Sequence, residues 1–309
     1  METSNSSIQV LYIMGYGRSG STVLDIVLGN HPDVESVGEL INLPRSAWIN
    51  NEFCACGQRA NECQYWVNVK QEWIKRTGMS DIYAYAALGE ALQRQRLRFQ
   101  GFVQPDCSSH EFQVYAEQTR ALYESIRKVS GKSIIVDSSK NPLRAFVLSF
   151  IPGIDLHLIH LVRDGRGVAW SLKKSFTKNE KAGVQIDLKS HPIWRSAITW
   201  SLANIQSAWV RQQLEEKKSI QVKYEDFIAE PGKILFQIGQ LIGLEFDEVV
   251  MALDAGDSMK VGHTVAGNRL RMSCAVKLRL DEEWKQKMSQ IELWQFSAIA
   301  GWILRKYRY

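Results

Sequence analysis

The stretch LYIMGYGRSGSTVLDIVLGN, residues 11–30, decides how this chain is read. Residues 8–14 are apolar and β-branched, as a buried strand requires. Gly15, Gly17 and Gly20 let the backbone turn sharply and approach a ligand closely. Ser19, Ser21 and Thr22 then open a helix that carries Val23, Leu24, Ile26, Val27 and Leu28. A helix N-terminus presents unpaired N–H groups that attract anions, and glycines make room there for a phosphate. The expected unit is strand, glycine turn, helix, with an anion at the turn; a plain strand–turn–helix is the alternative.

The stretch departs from the phosphate-binding pattern G-x-x-x-x-G-K-[ST] at one place. Gly15, Gly20 and Thr22 match, but Ser21 stands at the lysine position and the cation comes earlier, at Arg18. A nucleoside triphosphatase uses that lysine on the β- and γ-phosphates together with magnesium. Its loss argues against an ordinary ATPase or kinase, while a guanidinium still suits a phosphate-like group.

Outward from this unit, the chain has 309 residues, 45% hydrophobic and 23% charged, as an ordinary globular protein does. A net charge of +5 is too small and too scattered to indicate nucleic acid. The polar residues 1–7 lead straight into the first strand, and no apolar run approaches the ~20 residues of a membrane span. The expectation is a cytoplasmic protein with neither nucleic acid nor membrane as partner; the sequence carries no signal of oligomeric state. Five cysteines, an odd number, argue against a disulfide framework.

The turn at residues 31–33 and a short strand over 34–37 deliver Glu39 to the C-terminal side of a sheet, where ligands of open α/β sheets bind. A surface glutamate is the plainer reading. In CACGQRANEC, Cys54, Cys56 and Cys63 could supply three zinc ligands, with Cys107 or a histidine as the fourth. The spacing lacks the usual paired C-x-x-C units, so free thiols packed against Trp66 are preferred and no metal site is assigned. Helices are expected over 65–77, 81–100 and 109–129, with the basic run at 93–98 on a solvated face. Region 40–130 is then a helical insertion between main strands.

A second core strand over 133–136 runs into DSSKNP. Asp137 there could bind a metal or cap the next helix, which Pro142 begins. A strand over 155–162 ends at RDGRGVAWSL, with Arg163 at its tip and Ser171 about two turns up the next helix. Across that corner an arginine and a serine can hold one phosphate between them; an ion pair of Arg163 with Asp164 is the bland alternative. His157 and His160 alternate with apolar residues and read as structural. Residues 173–192 read as a mobile loop, and Trp194, Trp200 and Trp209 as core on a helix over 193–213. A strand over 219–223 and a helix over 231–242 follow. Residues 262–272, GHTVAGNRLRM, are rich in glycine and basic residues.

Four of these motifs, in this order, resemble sulfotransferases that use 3′-phosphoadenosine 5′-phosphosulfate (PAPS): the RSGST loop, the DSSK turn, the RDGRGVAWSL corner and the GN-x-x-R loop. The resemblance is to the bacterial and Golgi-type branch, and HPDV…GE is similar to the tyrosylprotein sulfotransferases. It implies an α/β, P-loop-like three-layer fold with a central, mostly parallel sheet flanked by helices, plus a helical insertion. It implies one sulfotransferase domain over 1–309, with an acceptor-side insertion at 40–130, a mobile loop at 175–191 and a nucleotide-covering loop at 262–272.

The implied function is transfer of a sulfuryl group from PAPS to a hydroxyl or amine of a small-molecule acceptor, in secondary metabolism, leaving adenosine 3′,5′-bisphosphate (PAP) and requiring no metal. Gly17, Arg18, Ser19, Gly20, Ser21 and Thr22 would bind the 5′-phosphosulfate, with Arg18 also catalytic. Arg163 and Ser171 would bind the 3′-phosphate, and Gly267, Asn268 and Arg271 would close over the nucleotide. Arg269 stands where the family more often has proline. Lys140 would stabilise the transferring group. Glu39 would be the general base, as a glutamate is in the tyrosylprotein enzymes; His110 and Asp137 are alternatives. A P-loop small-molecule kinase using ATP and magnesium, with Asp137 in a leading role, is the rival reading.

Overall fold

The computed structural model describes residues 7–93, 103–182, 184, 187–273 and 275–309. Its centre is a five-stranded parallel sheet in the order β2-β3-β1-β4-β5. The strands are β1 (Ile8–Gly15), β2 (Val34–Ser36), β3 (Ile134–Lys140), β4 (Ile154–Val162) and β5 (Ser219–Lys223). A two-stranded antiparallel ribbon, β6 (Met259–Lys260) and β7 (Ala275–Val276), stands apart. The first six helices are α1 (Ser21–Leu28), α2 (Gln64–Thr77), α3 (Ile82–Gln93), α4 (His110–Ser130), α5 (Pro142–Leu148) and α6 (Gly165–Lys173). Then follow α7 (Ile193–Gln213), α8 (Tyr224–Ala229), α9 (Pro231–Ile242), α10 (Asp247–Asp254), α11 (Trp284–Lys287) and α12 (Gln290–Lys306).

Strand β1 is central because it is apolar on both faces. Val10, Tyr12 and Met14 join a buried cluster with Trp66, Trp73, Tyr115 and Leu122, so the insertion shares the core of the sheet. Leu11 and Ile13 face the opposite layer, with Leu24 and Val27 of α1 and Leu235 and Ile238 of α9. Parallel sheets covered on both sides need such continuous apolar strands. Each of the five side chains from Val10 to Met14 is fully buried, and an apolar side chain so placed contributes roughly 1.5–3 kcal/mol. A third cluster, with Trp200 and Phe296, holds α6, α7 and α12 together.

Two expectations are corrected by tertiary contacts. Strand β3 does not stop at Val136 but runs through Lys140, because its partner β1 continues beside it. Trp200 is core, whereas Trp194 on the same helix is 53% exposed. Within the segment over 175–191, Phe176 and Leu188 exchange backbone hydrogen bonds of 3.0 and 2.8 Å. The second insertion helix is described only as far as Gln93; its expected continuation and most of the basic run lie outside the described residues. Among the described residues no helix is long and apolar enough to cross a membrane.

Every strand from β1 to β4 ends at the same rim of the sheet. The RSGST loop follows β1, Glu39 follows β2, Lys140 closes β3 and Arg163 follows β4. Residues remote in sequence therefore meet at the strand C-termini, where such sheets bind ligands.

Candidate active site

The glycine turn is shaped by one close approach. Gly20 caps α1 with φ 93°, and a Cβ there would lie 2.3 Å from the Tyr224 ring. Only glycine fits, and without a side-chain cap the first N–H groups of α1 face outward, where an anion can meet them. Beside them Ser19 is buried, and its Oγ has no partner among the described residues. A Cβ on Gly17 would touch nothing within 4 Å, so the turn leaves space as well as donors. These features fit a 5′-phosphosulfate. Arg18 takes a left-handed φ of 69°. Burial, and then the charge of Arg269, hold its guanidinium below the usual arginine range.

Glu39 and Lys140 meet here although they are 101 residues apart. Lys140 Nζ donates to Glu39 Oε1, and Asn42 Nδ2 donates to Oε2 at 2.8 Å. The pair is partly shielded, with side-chain exposures of 20% for the lysine and 12% for the glutamate. The Glu39 N–H donates to Val265 O at 3.0 Å, which fixes the glutamate against the segment after β6. Lys140 leaves β3 with a φ of 66°, turning its side chain back towards β2. That turn is held by Asp137, which accepts from Ser139 N at 3.0 Å and from Ser139 Oγ.

The Asp137 carboxylate is taken up by partners in the core. It is fully buried and bound by Tyr123 Oη at 2.8 Å and by Arg144 at 3.3 Å, and Tyr115 Oη accepts from the same arginine at 3.0 Å. The helix cap considered for it is supplied by Asn141, whose side chain accepts from Leu143 N and Arg144 N. His110 opens α4 on the exposed surface.

Arg163 is buried at the tip of β4 and reaches back to the glycine turn. Its guanidinium donates to Arg18 O at 3.0 Å and to the Asp281 backbone and carboxylate at 2.8 and 3.1 Å, and it lies 4.7 Å over the Tyr224 ring. It does not pair with Asp164, which caps α6 and binds Arg166 at 2.7 Å. Ser171 stands in the last turn of α6, partly exposed, and makes no hydrogen bond to Arg163. Asp281 was not singled out in the sequence, where nothing marks a lone aspartate 118 residues beyond its partner. Burial opposes its ionisation, but the bond from Arg163 holds its carboxyl below the usual range.

The segment at 262–272 covers the turn. Gly267, with φ 90°, lies so close that a Cβ would be 3.0 Å from Glu39 Oε1 and 3.5 Å from Thr22 Oγ1. Asn268 N donates to Thr22 Oγ1 at 3.4 Å. Arg271 departs from expectation: it is fully buried and donates to Phe53 O at 2.7 Å, tying the segment to the insertion. The exposed basic residue of this segment is Arg269, whose guanidinium lies 4.4 Å over Phe176. The histidines of β4 serve packing. Burial pushes His160 down to about 3, and it hydrogen-bonds Asn204 at 3.0 Å.

A buried acid lies beneath the turn. Burial raises the Asp25 carboxyl to about 8, against the Ser36 hydrogen bond of 2.8 Å that favours its ionised form. An aspartate titrates near ~3.9 in an unfolded chain. The folded state therefore prefers the protonated acid. The associated stability is complete below about pH 4 and is lost as the pH rises towards about 8. In Asp25→Asn the melting temperature should fall less between pH 5 and pH 8 than in the wild type, as read by scanning calorimetry. Parallel profiles would contradict the burial argument.

Of the two candidates for a fourth member beside the cysteines, the structure brings in a histidine. Cys54, Cys56 and Cys63 gather with His263, all four ligand atoms lying within 4.8 Å of one another. Cys107 is exposed elsewhere. Trp66 packs here, donating from Nε1 to His263 O at 2.7 Å. His263 lies 200 residues beyond Cys63, and no local spacing connects the two.

A model described as the sulfotransferase family matches residues 11–248. The chain is similar to the sulfotransferase domain from the Synechococcus PCC 7002 olefin synthase, with 17% identity, 96% of each chain covered and a TM-score of 0.51. It is also similar to the sulfotransferase domain from the curacin biosynthetic pathway, with 19% identity, 95% of this chain and 97% of the other covered and a TM-score of 0.48. At such identities the likeness concerns the fold. None of the curated proteins matches the chain.

Proposed function

The chain belongs to the sulfotransferase family, and on that premise we propose that it moves a sulfuryl group from PAPS to the hydroxyl or amine of a small-molecule acceptor. The observation that carries this reading is the meeting of Glu39 with Lys140 at the rim where the RSGST turn opens. PAPS supplies the –SO₃ group on a mixed phosphate–sulfate linkage, whose cleavage leaves PAP. Gly17, Arg18, Ser19, Gly20, Ser21 and Thr22 hold the 5′-phosphosulfate through helix N–H groups, hydroxyls and one guanidinium. Arg163 and Ser171 hold the 3′-phosphate. Gly267 and Asn268 cover the nucleotide, with the exposed Arg269 as the cation of that segment and Arg271 backing it from the core through its bond to Phe53 O.

Glu39 takes the proton from the acceptor oxygen or nitrogen. Lys140 places an ammonium beside the reacting atoms, an electrostatic contribution of the kind that tends to be largest. The insertion at 40–130 and the segment at 175–191 select the acceptor, a small metabolite, within one domain spanning 1–309. The rival kinase reading needs Asp137 as a magnesium ligand, and that carboxylate is enclosed by Tyr123 and Arg144.

Calorimetric titration with PAP, beside ATP with magnesium, tests the class. Micromolar binding of PAP that is independent of magnesium and abolished in Arg163→Ala is expected. Binding of ATP–magnesium alone would overturn the reading.

A further inference from the structure

Cys54, Cys56, Cys63 and His263 form a cluster outside the proposed sulfuryl-transfer chemistry, and their geometry is that of a ligand set. In a tetrahedral site with zinc–sulfur bonds of about 2.3 Å and zinc–nitrogen bonds of about 2.0–2.1 Å, sulfurs are about 3.8 Å apart, and a sulfur and a nitrogen about 3.6 Å. Here Cys56 and Cys63 Sγ are 3.6 Å apart, and His263 Nδ1 lies 3.3 Å from Cys63 Sγ and 3.8 Å from Cys54 Sγ. Cys54 and Cys63 are fully buried while Cys56 is exposed, so the site is closed on one side and open to ion entry on the other.

Cys63 is the N-cap of α2, which places its sulfur at the positive end of a 14-residue helix. The His263 ring is held in place by stacking on Tyr65, with centroids 4.9 Å apart and planes 5° from parallel. Three sulfurs and one imidazole without an open position suit a structural zinc ion.

From this geometry we infer that Cys54, Cys56, Cys63 and His263 bind one Zn²⁺ as a structural centre. The three thiol protons pass to solvent as the metal binds. The ion joins the loop before α2 to the root of the 262–272 segment, two parts of the chain 200 residues apart. The Ala55 N–H···O Thr264 bond of 3.1 Å and the Arg271 bond to Phe53 O run alongside it. The metal therefore clamps the segment that carries Gly267 over Glu39 and Thr22. That clamping role rests on the donor-site reading above, whereas the metal site does not.

Elemental analysis of untagged, full-length protein after dialysis tests the site directly. About one zinc per chain is expected, falling to background in Cys56→Ser/Cys63→Ser and retained in His263→Cys, which keeps a fourth ligand. Cobalt(II) added to metal-stripped wild type should give the visible bands and sulfur charge-transfer absorption of a tetrahedral thiolate centre. Background zinc in the wild type, zinc unchanged in the double variant, or a Cys56–Cys63 disulfide in freshly purified protein would overturn the site. Removing zinc should weaken PAP binding severalfold, reversibly on zinc return; equal affinity with and without metal would overturn the clamp. Zinc at full occupancy with no PAP binding even in intact protein would sink the donor reading and leave the metal site standing.

Discussion

Glu39→Gln is expected to lower kcat by about 10²–10⁴-fold, the usual contribution of a positioned general base, while PAP affinity stays unchanged. Glutamine keeps the volume, but its one carbonyl oxygen can accept from only one of the two donors that Glu39 has now, Lys140 on Oε1 and Asn42 on Oε2. The negative charge and the ability to take up a proton are both lost. Lys140→Met should cost about 10²–10³-fold, as loss of one preorganised electrostatic donor does. The double variant should lose less than the product of the two, because each residue sets the position of the other. Turnover is read as PAP release from PAPS with a phenol or amine that the wild-type protein accepts. His110→Ala should be silent. Near-normal turnover in Glu39→Gln would remove Glu39 as base and leave the pair a structural contact.

Asp137→Ala is expected to destabilise the protein by about 3–5 kcal/mol, the range for removing one partner of a buried ion pair. The aspartate and Arg144 side chains are 0% and 3% exposed, so the arginine would be left charged and uncompensated. Tyr123 would lose its acceptor as well. Arg144→Met should have a cost of similar size. Urea unfolding of both variants and of the double variant supplies the check, the double costing less than the sum because its two sites share one network. A catalytic effect should accompany the loss, since Asp137 holds the Ser139 turn whose Oγ also accepts from Ile41 N at 2.9 Å. Additive losses of about 1 kcal/mol or less would mean the pair is not coupled as the geometry indicates.

The cluster of Cys54, Cys56, Cys63 and His263 and the Asp137 network mark where local reading stops. Nothing in the spacing of Cys54, Cys56 and Cys63 identifies a fourth ligand 200 residues away. A strand ending in aspartate looks alike whether the carboxylate faces a magnesium ion or a buried arginine. Arg269 and Arg271 are two residues apart on one short turn, yet the structure buries the second on Phe53 and leaves the first exposed against Phe176.

Local patterns alone specify the sheet and the strand–glycine turn–helix unit. Apolar runs of strand length, glycines at Gly15, Gly17 and Gly20, and the periodic side chains of α1 are local patterns that few folds satisfy. The sequence also determined the order in which RSGST, DSSK, RDGR and GN-x-x-R follow one another, and hence the family. Only the tertiary structure decided which side chains share a site. Because all five strands run parallel, their C-terminal ends converge, and Glu39, Lys140, Arg163 and the RSGST turn become neighbours across gaps of up to 145 residues. Charge pairing then sets partners that spacing leaves open. Asp137 closes on Arg144 inside the core, Asp281 closes on Arg163, and Glu39 closes on Lys140 at the rim.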